Sequence, residues 1–164
     1  MVEARKAFRA RHDDHSEEVL DNIDMSLKLV TGENTTLLVA FYRYYAKHKL
    51  TDELPGNMSE ERYTGATAGG DSDINPLVLK YKSRFPTDNA IALLGETLIH
   101  EYSHTPQDNP LNPLFEAKAY GIEWFFAERL KDRGREDVIR NRYSTANRDE
   151  KKMLYFSYYT MREL

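Results

Sequence analysis

Two histidines and a glutamate near the middle of the chain have the types and the spacing of a metal site. Residues 100–104 read His-Glu-Tyr-Ser-His, and side chains four apart on a helix lie one turn apart on the same face. The imidazoles of His100 and His104 can therefore each give a nitrogen to one zinc ion at about 2.0–2.1 Å. Glu101 follows the first of them and can take a proton from water at the ion. The spacing predicts a zinc-dependent hydrolase whose general base is Glu101.

A third ligand has to come from elsewhere, because a catalytic zinc ion takes three protein ligands and keeps one position for water. The chain has no cysteine, which leaves His, Asp and Glu. Glu116 and Glu123 lie seven residues apart in a segment predicted to be helical, hence on roughly one face. We expect Glu116 to be the ligand, since it lies in the first helical turn, nearer to His104. Glu123 is the alternative third ligand or an acceptor that orients an imidazole, and Asp108 is a weaker candidate for either role.

A hydrolase of this kind also gains from a hydrogen-bond donor aimed at the developing oxyanion. Tyr120 is the first candidate, because it lies four residues after Glu116 on the same helical face. The other tyrosines that could serve are Tyr155, Tyr158 and Tyr159. The remaining histidines lie among charged residues and are predicted to be solvated at the surface: His12, His15 and His48.

Apolar periodicity and capping residues predict mainly helices around these side chains. The predicted helices cover residues 16–30, 35–47, 88–104, 113–132, 136–142 and 148–162. Thr87 or Asp88 is expected to cap the helix that carries the two histidines. Asn112 is expected to cap the next helix and Gly134 to end it. A proline-containing turn over residues 105–112 joins the two helices.

A small sheet is predicted beside the helices. Residues 77–85 alternate in part between apolar and basic side chains, which is typical of a strand. The Gly-rich residues 55–73 are predicted to be a loop. The fold class that follows is α+β: a mainly helical domain with a small β-sheet next to the helix of the two histidines.

Composition and length limit the function classes. The 164 residues fit one domain, so residues 1–164 are predicted to form a single unit. Lys and Arg total 23 against 27 Asp and Glu, without a long basic run, which argues against a nucleic-acid partner. No stretch approaches the roughly 20 apolar residues of a membrane span, and the charged start of the chain is unlike a secretory signal. We therefore expect no membrane partner, and a protein that is either cytoplasmic or exported by a dedicated secretion system.

Residues 87–126 resemble the zincin metallopeptidases, in particular compact members whose third zinc ligand is a glutamate. The resemblance rests on the His-Glu-x-x-His helix and on the acid-bearing helix that follows it. It implies that His100, His104 and Glu116 bind zinc and that Glu101 acts as general base and acid. It also implies a metalloendopeptidase whose substrate is a protein or peptide.

Two further features belong to this likeness. The Tyr120-Gly121 pair is similar to the aspartate-ligand zincins, which place an aspartate three residues before Tyr-Gly. Ala117 stands in that place here, and the acid lies one residue earlier. The resemblance also implies that an extended peptide pairs with the sheet edge beside the metal helix. That edge would be formed by residues 77–85 or by the Gly-rich stretch ahead of them.

Small zincin domains without a signal peptide are also similar to the toxin domains that bacteria deliver through specialised secretion machines. This likeness implies an effector whose partner is an inhibitor or immunity protein. Two alternatives stay open: a binding or regulatory module that keeps the zincin scaffold with little turnover, and a secreted toxin hydrolase that acts on cell-wall peptides. The intact Glu101 favours an enzyme, because a merely structural zinc site does not need it.

Overall fold

The computed structural model describes residues 1–32, 34–104 and 112–163, and this part of the chain forms eight helices and three short strands. In chain order they are α1 (Val2–Arg11), α2 (Glu17–Thr31), α3 (Thr35–Tyr45), β1 (Leu50–Thr51), β2 (Gly65–Ala68), β3 (Asp71–Ile74), α4 (Pro76–Leu79), α5 (Ala90–His104), α6 (Pro113–Arg129), α7 (Arg133–Tyr143) and α8 (Arg148–Arg162). The predicted α+β class is confirmed, because the fold is mainly helical and its small sheet packs against α5. No helix among the described residues is long and apolar enough to cross a membrane.

Several helices begin close to the positions at which the sequence predicts them to start. Ser16 Oγ accepts a hydrogen bond of 3.2 Å from the Val19 amide at the start of α2. Asn112 Oδ1 accepts one of 3.0 Å from the Leu114 amide at the start of α6, where Pro113 follows the cap. Each of these bonds satisfies an amide that has no partner inside its helix, so local sequence is enough to place these helix starts.

The start of α5 differs from the prediction. Asn89 is the capping residue, because its Oδ1 accepts from the Ile91 amide at 3.0 Å. Thr87 and Asp88 instead donate to Asp132, from the Thr87 hydroxyl at 2.6 Å and the Asp88 amide at 2.8 Å. The Asp132 carboxylate, at the start of α7, thus accepts hydrogen bonds from both residues that were predicted to cap α5.

The end of α6 also lies earlier than predicted. The helix ends at Arg129, and Lys131 takes a positive φ of 58° in the turn that follows. Gly134 is therefore not the residue that ends α6, but lies in the first turn of α7. A Cβ at Gly134 would stand 2.9 Å from the backbone nitrogen of Thr87. Glycine is needed there for the close approach of two chain segments.

The strand predicted over residues 77–85 is wrong. Asn75 Oδ1 accepts from the Leu77 amide at 2.9 Å, Pro76 takes the first helical position, and the short helix α4 results. The alternation of apolar and basic residues is a weaker signal than this cap followed by proline. The strands lie elsewhere: β1 pairs with β3 in parallel, β2 pairs with β3 antiparallel, and the order is β1-β3-β2.

The β2–β3 hairpin lies inside the Gly-rich stretch that was predicted to be a loop. Gly69 and Gly70 form its turn with φ values of 62° and 89°. Glycine adopts such positive φ values without steric strain, so the Gly69-Gly70 pair is typical of a hairpin turn. The sheet that results lies next to α5, as predicted.

Helix α5 is the central element of the main core. It packs against α2 on one side and α6 on another, and its residues are buried along most of its length. A Cβ at Gly95 would overlap the Ser26 carbonyl oxygen of α2, so the two helix backbones are in direct contact there. Gly121 has the same role between α6 and α8, where a Cβ would overlap the Leu154 carbonyl oxygen. The helix with the two histidines is therefore held firmly by its neighbours.

The prediction that the remaining histidines are solvated is wrong for His12, which is only 2% exposed. Its Nδ1 donates to the Phe8 carbonyl at 2.9 Å, and its Nε2 accepts from the Leu50 amide at 2.9 Å. His15 is half-buried, and its Nε2 donates to the Leu50 carbonyl at 2.7 Å. His48 is also half-buried. Two of these histidines thus join α1 and its following turn to β1 and have a structural role.

Candidate metal centre

Helix α5 carries three titratable side chains at its C-terminal end. His100, Glu101 and His104 are all buried, and their ligand atoms lie within 4.8 Å of one another. The Nε2 atoms of the two histidines are 3.3 Å apart, and the imidazole planes meet at 69°. The spacing in the sequence does bring the two imidazoles together, and this buried group could hold a metal ion.

Helix α6 brings the Glu116 carboxylate to the same point. Its Oε1 lies 2.6 Å from Nε2 of His100 and 3.3 Å from Nε2 of His104. Ligand atoms of a tetrahedral zinc ion bound at about 2.0–2.1 Å stand about 3.3 Å apart, and two sides of this triangle have that length. The shorter side is a hydrogen bond, which would have to open as an ion enters. The structure thus brings the Glu116 carboxylate to both imidazoles, and the role of Glu116 as the third ligand stays a prediction.

Glu123 lies behind His100. Its Oε1 accepts from Nδ1 of His100 at 2.9 Å, on the side of the ring opposite to Nε2. Arg135 from α7 pairs with both carboxylate oxygens of Glu123, with Nη2 3.2 Å from Oε1. The position is that of an acceptor that orients the imidazole, which is one of the two predicted roles of Glu123. It is not the corner that a third ligand would occupy.

The carboxylate of Glu101 is held by strand β2. Thr67 Oγ1 lies 2.8 Å from Glu101 Oε2 and 2.9 Å from Ser72 Oγ, which lies 2.6 Å from the hydroxyl of Tyr45. Each hydroxyl has one proton, and an ionised carboxylate can only accept. Thr67 therefore donates to Glu101, Ser72 to Thr67, and Tyr45 to Ser72. This directed chain leaves Oε1 of Glu101 on the side of the metal centre, 3.9 Å from Nε2 of His100.

Burial and charge act against each other in this centre. Burial by itself lowers the pKa of His100, but the hydrogen bonds to Glu116 and Glu123 outweigh it and raise that pKa well above its ordinary value. Burial raises the pKa of Glu116, but the hydrogen bonds from the two imidazoles bring it far below its ordinary value. Burial also raises the pKa of Glu101, which the neighbouring histidines oppose only in part. In the metal-free protein, His100 therefore holds a proton between two carboxylates, at the place where a cation would bind.

Tyr120 forms one wall of the centre. Its ring centroid lies 4.4 Å from that of His100 in an edge-on contact, and the Arg142 guanidinium lies 4.8 Å from the Tyr120 ring centroid. Burial raises the pKa of the Tyr120 hydroxyl, which therefore stays protonated and able to donate. Its role as the oxyanion donor stays a prediction. The other candidates all lie on α8: Tyr155, Tyr158 and Tyr159.

Three side chains at the centre were not predicted: Thr67, Arg135 and Glu96. Glu96 lies one helical turn before His100 and is fully buried; burial, followed by nearby acids, raises its pKa well above the ordinary value. An acid in an otherwise apolar stretch is a signal that could have identified Glu96. Thr67 and Arg135 come from distant elements and have no local pattern. Asp108, like nearly all of the predicted turn of residues 105–112, lies outside the described ranges.

Comparison with protein-family models, with curated proteins and with solved structures found no match. Two imidazoles and a carboxylate meet at one point, a second carboxylate lies beside them, and a third orients one imidazole. That arrangement can bind a divalent cation and move a proton next to it.

Proposed function

We propose that this chain is a zinc-dependent metallopeptidase of the zincin type. One observation supports this most: Nε2 of His100, Nε2 of His104 and Oε1 of Glu116 meet at 2.6–3.3 Å, with Glu101 beside them. Structural zinc sites take four protein ligands, whereas catalytic sites take three and keep one position open. Three converging ligand atoms and one adjacent carboxylate fit the catalytic pattern.

Zinc held by these side chains would supply a Lewis acid and lower the pKa of water to about 7. Glu101 accepts a proton from the attacking water through Oε1 and delivers it to the leaving amine. Thr67 holds the other oxygen of that carboxylate, which prevents it from rotating away. Glu123 holds His100 by Nδ1 and so keeps Nε2 directed at the ion site.

The substrate of this proposal is an extended peptide that adds to strand β2. This strand lies at one edge of the described sheet, and its residue Thr67 contacts the Glu101 carboxylate. A peptide paired with the outer edge of β2 would therefore run past the proposed general base. Main-chain hydrogen bonds would give the affinity, and neighbouring side chains the preference for sequence. The Gly-rich stretch, rather than residues 77–85, supplies this edge.

Metal analysis and proteolysis test the proposal together. The purified protein should contain one equivalent of zinc and should cleave unfolded casein. Glu101→Gln should retain the zinc and lose at least about a hundredfold in kcat, because a general base contributes about 10²–10⁴-fold. Glu128→Gln on the exposed side of α6 is the control and should keep both properties, because glutamine can still accept the hydrogen bond that Glu128 Oε1 takes from Tyr158.

The possible outcomes separate the candidate functions. Zinc with turnover that Glu101→Gln abolishes supports the peptidase. Zinc at one equivalent without turnover on a diverse peptide mixture would favour a binding or regulatory module instead. Failure to bind any divalent cation would refute both. Loss of zinc in Glu116→Gln but not in Glu128→Gln would assign the third ligand.

A further inference from the structure

Helix α8 borders an open groove of about 920 Å³. Its lining residues come from the first turn of α6, the α7–α8 connection and one face of α8: Leu114, Ala146, Arg148, Asp149, Lys151, Lys152, Met153, Tyr155, Phe156 and Tyr159. A second hydrophobic cluster, which includes Leu154 and Tyr158, lies beneath this face. The groove therefore lies over a packed cluster of buried side chains.

The C-terminal half of this face exposes large aromatic side chains. Tyr155 is 47% exposed, Phe156 is 69% exposed and Tyr159 is 51% exposed. Tyr155 also contacts Trp124, with ring centroids 5.7 Å apart. Isolated exposed apolar residues are ordinary, but a contiguous aromatic patch on one helix face is typical of a binding surface.

The N-terminal half of the same face is basic. Arg148 and Lys152 lie one turn apart, Lys151 lies beside them, and Asp149 is the one acid among the lining residues. None of the three cations forms an ion pair with a described residue. Cations in the first turns of a helix are also repelled by its positive end. These charges stand out further because the whole chain has a net charge of −4.

We propose that this groove binds a peptide segment of a partner protein that has acidic residues next to aromatic or large aliphatic residues. The acidic residues would pair with Arg148, Lys151 and Lys152, and the apolar residues would pack on Phe156 and its neighbours. Charge complementarity selects this occupant, because an acidic ligand removes both the mutual repulsion of the cations and their repulsion by the helix dipole. None of the lining residues is one of the side chains proposed to bind zinc or to move a proton, so this proposal does not depend on the proposed peptidase chemistry.

Selection from a random peptide library tests this proposal, because the library contains acidic, basic and apolar sequences in equal competition for the groove. The bait is the full chain with Glu101→Gln, which prevents cleavage. We expect the selected peptides to be enriched in Asp and Glu adjacent to Phe, Trp, Leu or Ile. For selected peptides without tryptophan, binding is then measured by fluorescence of Trp124, the only tryptophan of the chain, whose ring contacts the groove residue Tyr155.

Two variants then locate the bound peptide. Lys151→Glu with Lys152→Glu reverses the charge of the groove and should weaken binding by about tenfold or more. Phe156→Ser should have a similar effect. Because the Phe156 side chain is exposed, this substitution should not impair folding. Lys47→Glu with Lys49→Glu makes the same charge change on another exposed surface and should leave binding unchanged.

The result that overturns the proposal is equally specific. Selected peptides without acidic enrichment, binding that survives both groove variants, or no selected binder at all would each reject it. Added salt should weaken binding to the unmodified groove but not binding to the charge-reversed protein, because there it screens the repulsion between the acidic peptide and the new glutamates. None of these results depends on zinc or on turnover, so failure of the peptidase proposal would leave them interpretable.

Discussion

Replacement of Glu123 by glutamine tests whether the imidazole of His100 is held from behind. The carboxylate accepts from Nδ1 of His100 at 2.9 Å and from Arg135 at 3.2 Å, and all three side chains are buried. Glutamine has nearly the same shape and keeps one oxygen for His100. Its amide group, however, would face the donors of Arg135, and the negative charge is lost.

Two separate magnitudes follow from this geometry. Mutation of the side chain that orients a ligating imidazole typically weakens metal binding 10–100-fold, about 1.4–2.7 kcal/mol, and here the change is the loss of the negative charge next to Nδ1 of His100. Removal of one partner of a buried ion pair destabilises a fold by about 3–5 kcal/mol, because the other charge stays buried. Glu123→Gln should therefore reduce both the zinc affinity and the free energy of unfolding.

Arg135→Met is the matched control. It breaks the same buried ion pair and should also destabilise the fold by about 3–5 kcal/mol. It leaves the Glu123 carboxylate in place as the acceptor for Nδ1 of His100, so the zinc affinity of the folded protein should be kept. The assay is competition for zinc with a chromophoric chelator, under conditions in which circular dichroism shows that each variant is folded.

Equal loss of zinc affinity in the two variants would refute an orienting role for Glu123. Such a result would mean that the affinity follows the stability of the fold, not the orientation of the imidazole. Unchanged zinc affinity in Glu123→Gln would also contradict the proposed orienting role of Glu123. Only a selective loss in Glu123→Gln agrees with the proposed role of this side chain.

The remaining predictions concern the proposed general base, the helix contacts and pH. Thr67→Val should lower kcat about 10–100-fold at unchanged zinc affinity, because a hydrogen bond to a charged group contributes about 1.5–3 kcal/mol. Thr67→Ser keeps the donor and should keep the rate, and steady-state proteolysis of casein measures both variants. Gly121→Ala should destabilise the fold by about 1–3 kcal/mol, measured by denaturant unfolding, since the new Cβ overlaps α8. Zinc binding should release at least one proton near neutral pH, because the pKa of His100 is raised in the metal-free protein; calorimetry in buffers of different ionisation enthalpy counts it. Protonated His100 also stabilises the metal-free protein. This contribution is fully present below the pKa of His100 in the unfolded chain, about 6.5, and is lost as pH rises through the higher pKa of the folded protein. Unfolding of the metal-free protein, measured across this pH range, should therefore show a decreasing contribution of His100 to the free energy of unfolding.

The elements that local patterns determine were predictable. Helix α8 begins and ends at the predicted residues, and α2 begins one residue after Ser16, where the predicted helical segment starts. Apolar periodicity and a capping side chain are both local properties of the sequence, so they can be recognised before the fold is known. The pairing of His100 with His104 is local in the same way, because one helical turn separates them.

The elements that were missed depend on contacts between distant segments. Thr87 has the type of a capping residue but donates to Asp132, which lies 45 residues later. Thr67 reaches Glu101 only because the β2–β3 hairpin packs on α5, and Arg135 reaches Glu123 across two helices. Nothing in the local sequence of Thr67 or Arg135 distinguishes them from other surface candidates. The side chains proposed to bind and react could thus be predicted, but those that hold them in place could not.

The candidate metal centre joins side chains from three helices at one point. His100 and His104 belong to α5, Glu116 belongs to α6, and through Glu123 the centre is connected to Arg135 of α7. An ion bound there would act as a cross-link between helices, and at a thousandfold excess over its dissociation constant it would add about 4 kcal/mol of stability. Zinc supply would then set the lifetime of the folded protein as well as its activity. A cell poor in zinc would hold a looser chain that is more readily degraded.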